Sequence, residues 1–321
     1  MALKINDFYR NAVDCAIDAD PRGRKIVENE LENIKKYYDK LDDKKKEYFD
    51  KDTLFNPYSD TRILNIAEDR DIKRILCGID MQTPELLLAD RLNEKNINID
   101  LVITHHPNGY GFVNFYDVIS MQSEKNAFHN VPINIAEGLT NKRLNEVSRS
   151  VFGANHYRDV DTAKLLKLNY MCMHTAADNF AETFLTEKIK NENPNTLGDI
   201  IDILYTIEEY KISAKRFNPP KIFNGSSKSK VGKFIVDMTG GASFDSAMIE
   251  ALSNAGVSTI IMMNISDKLL DECRKYYINV VCAGHISSDS LGINLLFKAV
   301  KERTKENFEI IPASGYIFTE K

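Results

Sequence analysis

Up to about Asp52 the chain mixes charged and apolar positions, and Leu31, Ile34, Tyr37, Tyr38 and Leu41 recur at helical spacing. This predicts a helical N-terminal extension over residues 1–52. The run Asn56-Pro57-Tyr58-Ser59-Asp60 breaks the pattern and marks a boundary. From Arg74 onward short apolar runs alternate with amphipathic stretches. Strands are expected at 75–80, 101–104, 170–173, 233–238, 259–263, 279–283, 308–311 and 316–318. Helices are expected at 116–128, 141–152, 161–167, 176–191 and 199–208, and one opening at Thr83 with that residue as cap and Pro84 at its first turn. Residues 218–230 hold prolines, Gly225 and a Ser/Lys run, which predicts a flexible loop.

Strand and helix alternating in this way predict an α/β protein with mostly parallel sheets flanked by helices. No internal repeat stands out residue by residue, although the two halves share one grammar. With 321 residues and 43% hydrophobic content the chain can bury a large core, enough for two lobes. A formal net charge of −5 disfavours a general nucleic-acid binder. No apolar run approaches the ~20 residues of a membrane span, and residues 1–10 lack a secretory core, so the expected location is the cytoplasm with no membrane partner. The five cysteines show no CxxC spacing, and three sit in apolar runs, which predicts buried reduced thiols.

The chemistry concentrates where apolar strands end. Leu101-Val102-Ile103-Thr104 delivers His105 and His106, Tyr170-Met171-Cys172-Met173 delivers His174, and Val280-Val281-Cys282-Ala283-Gly284 delivers His285. Asp178 follows His174, and Asp289 follows His285, by four residues, a spacing that puts each pair on one helical face. Either pair alone reads as a surface hydrogen bond. Three such sites at the carboxyl ends of strands, where open α/β sheets bind ligands, point instead to a shared metal centre. Mixed imidazole and carboxylate donors suit zinc, iron or manganese. Thr239-Gly240-Gly241-Ala242-Ser243 follows a strand and is expected to open a helix, with amides able to receive an anion. A plain tight turn is an equal reading. His129 is expected to be structural, while His156 and Arg158 would reach the site only if the segment 131–168 folded over it.

With Ile103-Thr104-His105-His106-Pro107, the His174-to-Asp178 pair, Thr239–Ser243, and Ala283-Gly284-His285 followed by Asp289, Gly292 and Leu295-Leu296, the chain resembles the Nif-three-like family, also called GTP cyclohydrolase I type 2 homologues. The resemblance runs from about Tyr58 to Lys321. It implies two interlinked α/β lobes, here 53–192 with 290–321 and 193–289, and assembly as a homo-hexamer. It also implies two divalent metal ions per chain, held by His105, His106, Asp178, His285 and Asp289. By the family pattern His105 and His285 serve one ion, His106 and Asp178 the other, and the last carboxylate bridges both. His174 then stands beside the centre as the proton-transfer candidate and the expected catalytic residue. The chain also departs from the family. Asp289 replaces the usual glutamate and is one methylene shorter, Met262-Met263-Asn264-Ile265-Ser266-Asp267 replaces a Gly-Asp and histidine segment, Asp60-Thr61-Arg62-Ile63 replaces Asp-Asn-Val-Gly, and 131–168 is longer. The expected function is a metal-dependent hydrolase acting through activated water on a small molecule such as a nucleotide. The alternative is a non-catalytic, metal-dependent hexameric assembly or regulatory protein.

Overall fold

A computed structural model describes residues 3–321. Nine strands form: β1 (Thr61–Asn65), β2 (Arg74–Gly78), β3 (Leu101–Thr104), β4 (Tyr170–Met173), β5 (Lys221–Asn224), β6 (Lys233–Asp237), β7 (Val257–Met262), β8 (Asn279–Cys282) and β9 (Glu309–Ala313). Every position of β3 and β4 is buried. An apolar run without alternation is what a strand covered on both faces requires. β2, β3, β4 and β9 run parallel, and β1 pairs antiparallel with β4 at the edge. The second sheet joins β6, β7 and β8 in parallel, with β5 antiparallel at its edge. This is the expected α/β architecture of two mostly parallel sheets flanked by helices.

The strand orders are β1-β4-β3-β2-β9 and β5-β8-β7-β6, so the two sheets repeat one topology, 1-4-3-2 against 5-8-7-6. The repeat lies in the backbone, which is why no residue pattern betrays it. After β4 the chain leaves the first sheet, builds the whole second sheet, and returns as β9. The helix His285–Thr304 makes that return and packs along the helix Thr175–Glu192, which leaves β4.

Several local expectations change. The N-terminal helix Ile5–Asp18 belongs to the main core: Phe8 is fully buried, its ring 5.5 Å from that of Phe308 and 6.1 Å from that of Phe297. The helix Thr83–Glu94 is capped one residue earlier than expected, by Gln82, whose N–H donates to Glu85. Thr83 donates instead to Asp159, through Oγ1 at 2.6 Å. Residues 218–230, expected as a flexible loop, contain β5, and β1 was not anticipated either. Residues 316–318 form no strand; the Ile317 N–H donates to Ser290 on the returning helix. The helix expected at 199–208 is two, Leu197–Leu204 and Glu208–Lys215.

Thr239–Ser243 opens no helix, because the next one begins only at Met248. Its anion is internal. The N–H groups of Met238 and Thr239 both donate to Glu182, each at 2.9 Å. Lys125, nearly fully buried, donates to Glu182 at 2.7 Å, to Asp237 at 3.3 Å and to the Thr239 carbonyl at 2.8 Å, tying the two sheets together. All five cysteines are free and buried. Among the described residues no helix is long and apolar enough to cross a membrane.

Candidate metal centre

The carboxyl ends of β3, β4 and β8 meet where the helices Thr175–Glu192 and His285–Thr304 begin, and this brings His105, His106, His174, Asp178, His285 and Asp289 together. Thr104 continues β3 straight into His105 and His106, whose N–H groups donate to the carbonyls of Gly78 and Ile79 and so extend the sheet past the strand. Gly284, at φ +109°, makes the turn from β8 into the helix that starts at His285. A side chain there would be strained in that conformation and would press on Ser287.

Three imidazoles are oriented alike. His105 Nδ1 lies 3.0 Å from the Met173 carbonyl, His106 Nδ1 2.7 Å from Asp80, and His174 Nδ1 2.8 Å from Asp60. Each partner is an acceptor, so each Nδ1 carries a hydrogen and each Nε2 points to the centre, where its lone pair is available to a cation once the ring is neutral. There His105 Nε2 stands 3.4 Å from Asp178 Oδ1 and 3.5 Å from Asp289 Oδ1. Asp289 Oδ2 is 3.6 Å from His106 Nε2 and 3.7 Å from His285 Nε2. His174 Nε2 is 3.7 Å from Asp178 Oδ2.

These separations are long for good hydrogen bonds. They suit atoms that share a cation: two ligands each ~2.0–2.1 Å from one ion at the tetrahedral angle stand roughly 3.3 Å apart. His105 Nε2, Asp178 Oδ1 and both oxygens of Asp289 are buried without any hydrogen-bond partner. Such groups are costly to leave unmade, and a cation would satisfy all four. The donor set therefore fits divalent metal. Among the described residues, two groups come close enough to hold an ion, His105 with His174 and Asp178, and His105 with His106 and Asp289.

His106 faces Asp289 beside His285, their rings 5.2 Å apart, while His105 lies against Asp178, His174 and Asp289. His174 falls within one of the groups that could hold an ion. The two oxygens of Asp289 address different histidines, so the shorter side chain still faces both sides. Asp60 and Asp80, which orient His174 and His106, were missed in the sequence. The available signal was an aspartate just past a buried apolar strand for Asp80, and for Asp60 its place in the segment Asp60-Thr61-Arg62-Ile63, which stands where the family carries Asp-Asn-Val-Gly.

Electrostatics follow from burial and charge. Burial disfavours a charged His105, yet Asp289 and Asp178 outweigh it and hold the ring protonated well above the ordinary 6.5. Burial likewise opposes charge on His174, but Asp178 and Asp60 raise its pKa. His106 is lowered by burial and by the neighbouring His105 and His174. Asp289 is lowered because His105 above all, with His285 and His106, outweighs its burial.

Other candidates lie elsewhere. His156, part-buried, and Arg158, exposed, do not line the cavity over the centre, and His129 caps the helix Met121–Phe128, with burial and Lys125 lowering its pKa to about 4. That cavity, of about 210 Å³, has His174, Asp178 and His285 on one side and Asp237, Thr239 and Asn264 among its other walls.

No family model matches the chain, and no curated protein matches it. Among solved structures, a NIF3 superfamily protein from Sphaerobacter thermophilus superposes with a TM-score of 0.73 at 25% identity, over 98% of this chain and all of that one. Reduced HcgD from Methanocaldococcus jannaschii gives a TM-score of 0.47 at 15% identity, over 84% of this chain and 94% of that one. With its fold shared end to end with the Sphaerobacter protein, the chain is a divergent member of the NIF3 superfamily.

Proposed function

We propose that the centre holds two divalent ions and that the protein is a metal-dependent hydrolase-like enzyme acting on a nucleotide or similar small molecule. The observation that supports this reading is the set of buried, partnerless donors, His105 Nε2, Asp178 Oδ1 and Asp289 Oδ1 and Oδ2, converging below a cavity. His105, His174 and Asp178 would hold one ion, and His106, His285 and Asp289 the other, with the second Asp289 oxygen turned toward His105. Bound there, the ions would polarise a substrate oxygen and make water a stronger nucleophile at neutral pH.

The chain's own residues do the rest. Asp60 and Asp80 fix the imidazole tautomers, and the buried walls around His105 and Asp289 keep bulk water from competing for their donors. Half-exposed His285 borders the cavity and is the ligand a substrate would meet first. Elemental analysis of the wild type beside His106→Ala and Asp289→Asn tests the reading. About two ions per chain, reduced in both variants, is the expected result; no metal even after reconstitution would overturn it. Size-exclusion mass on the same samples tests the homo-hexamer we propose with it.

A further inference from the structure

Among the described residues, no lysine or arginine lines the cavity over the centre. Lys125, which pairs with Asp237, is spent. Its three N–H groups go to Glu182, Asp237 and the Thr239 carbonyl, which leaves none for a ligand. Asp237 does line the cavity. Its Oδ1 takes Lys125 at 3.3 Å, no protein donor reaches its Oδ2, and its side chain keeps 13% of its surface exposed. One wall thus offers metal ligands, and the other an acceptor carboxylate with a free oxygen. Asn264, also on the wall, adds a carboxamide.

An amide has the opposite polarity at its two ends: its carbonyl oxygen seeks a cation and its N–H seeks an acceptor. At about 210 Å³ the space is small for a ligand pocket, so it admits a reacting group rather than a large molecule. Lys221 lines a neighbouring cavity that shares Met263, Asn264 and His285 with this one.

We infer that this cavity takes the N–H-bearing carbonyl group of an amide, lactam or cyclic ureide, with Asp237 Oδ2 accepting the N–H. The inference rests on the metal-centre reading and narrows its substrate class. It assigns Asp237 a binding role that sequence spacing gave no hint of.

The test is calorimetric titration of zinc-loaded full-length protein with hydantoin, a small cyclic ureide, and with 1,3-dimethylhydantoin, which lacks N–H. Hydantoin is expected to bind, and the dimethyl compound to bind at least about tenfold more weakly, as loss of a hydrogen bond to a charged group implies. Asp237→Asn should lower hydantoin affinity by a similar factor. The comparison of ligands on the wild type stands even if the variant does not fold. Equal binding of the two hydantoins, or no binding of hydantoin, overturns the inference. Zinc content separates the two failures: protein that takes up no zinc removes the metal-centre reading and this inference with it, whereas zinc-loaded protein that does not discriminate removes this inference alone.

Discussion

His105 carries two opposed demands. Without a cation its Nε2 is best satisfied by a proton shared between Asp178 and Asp289, and burial fails to prevent this. Because the folded-state pKa lies above the ordinary 6.5, the stabilisation is fully present below that value and is lost as pH rises through the raised pKa. Thermal melts of chelator-treated protein should therefore show stability falling as pH climbs above 6.5, and Asp289→Asn should flatten that slope. Metal must displace the same proton, so metal affinity should rise over the same range. Asp60 acts one step further out, holding His174 through Nδ1 and receiving the Thr175 hydroxyl at 2.6 Å. Asp60→Asn is expected to weaken metal binding by ~10–100-fold, read by competition with a chromogenic chelator; unchanged affinity would show that His174 does not hold the ion.

At the scale of elements, the centre depends on how closely two helices approach. Gly292, on the helix carrying His285 and Asp289, lies against the backbone of Ala177 on the helix carrying Asp178, and a Cβ at Gly292 would collide with the Ala177 carbonyl. A backbone neighbour cannot swing aside as a flexible side chain can. Gly292→Ala should cost ~1–3 kcal/mol by urea unfolding, in the range of overpacked cores, and should lower metal content by parting His174 and Asp178 from His285 and Asp289. Register adds a further detail. Thr104 pairs with Cys172 in the first sheet and Met262 with Cys282 in the second, so His174 is matched in the repeat by Gly284, and His285 begins its helix one residue later. The same register matches His105 and His106 with Met263 and Asn264. The first sheet supplies His105, His106 and His174, and the second supplies His285 together with a cavity wall.

For the whole molecule the decisive contact is Lys125, set between Glu182 on the helix that follows β4 and Asp237 at the end of β6. Burial raises both carboxyls, and Lys125 opposes that rise. Removing the ammonium would strand two buried carboxylates. Lys125→Met is expected to cost ~3–5 kcal/mol in chemical unfolding at neutral pH, and the deficit should shrink in acid as the carboxyls take up protons. A neutral-pH loss no larger than that of an ordinary surface substitution would mean that the two sheets are joined by other means. The N-terminal helix is part of the main core, since Phe8 packs against both Phe297 and Phe308, whose rings also touch each other.

Local pattern was enough to expose the α/β alternation, the apolar strands β2, β3, β4, β6, β7 and β8, and the histidines at strand ends, because side-chain period and strand burial are properties of neighbouring residues. The edge strands β1 and β5 escaped it. Each is four or five residues long and mixes polar with apolar positions, and each is held mainly by a partner distant in the chain, β4 or β8. Spacing could place Asp178 one turn after His174, but not decide that His105 meets Asp178 while His106 meets His285, nor that Asp60, Asp80 and Asp237 surround the centre. Those neighbours come from segments tens to hundreds of residues apart, and only the packing of two sheets through a shared pair of helices brings them within reach.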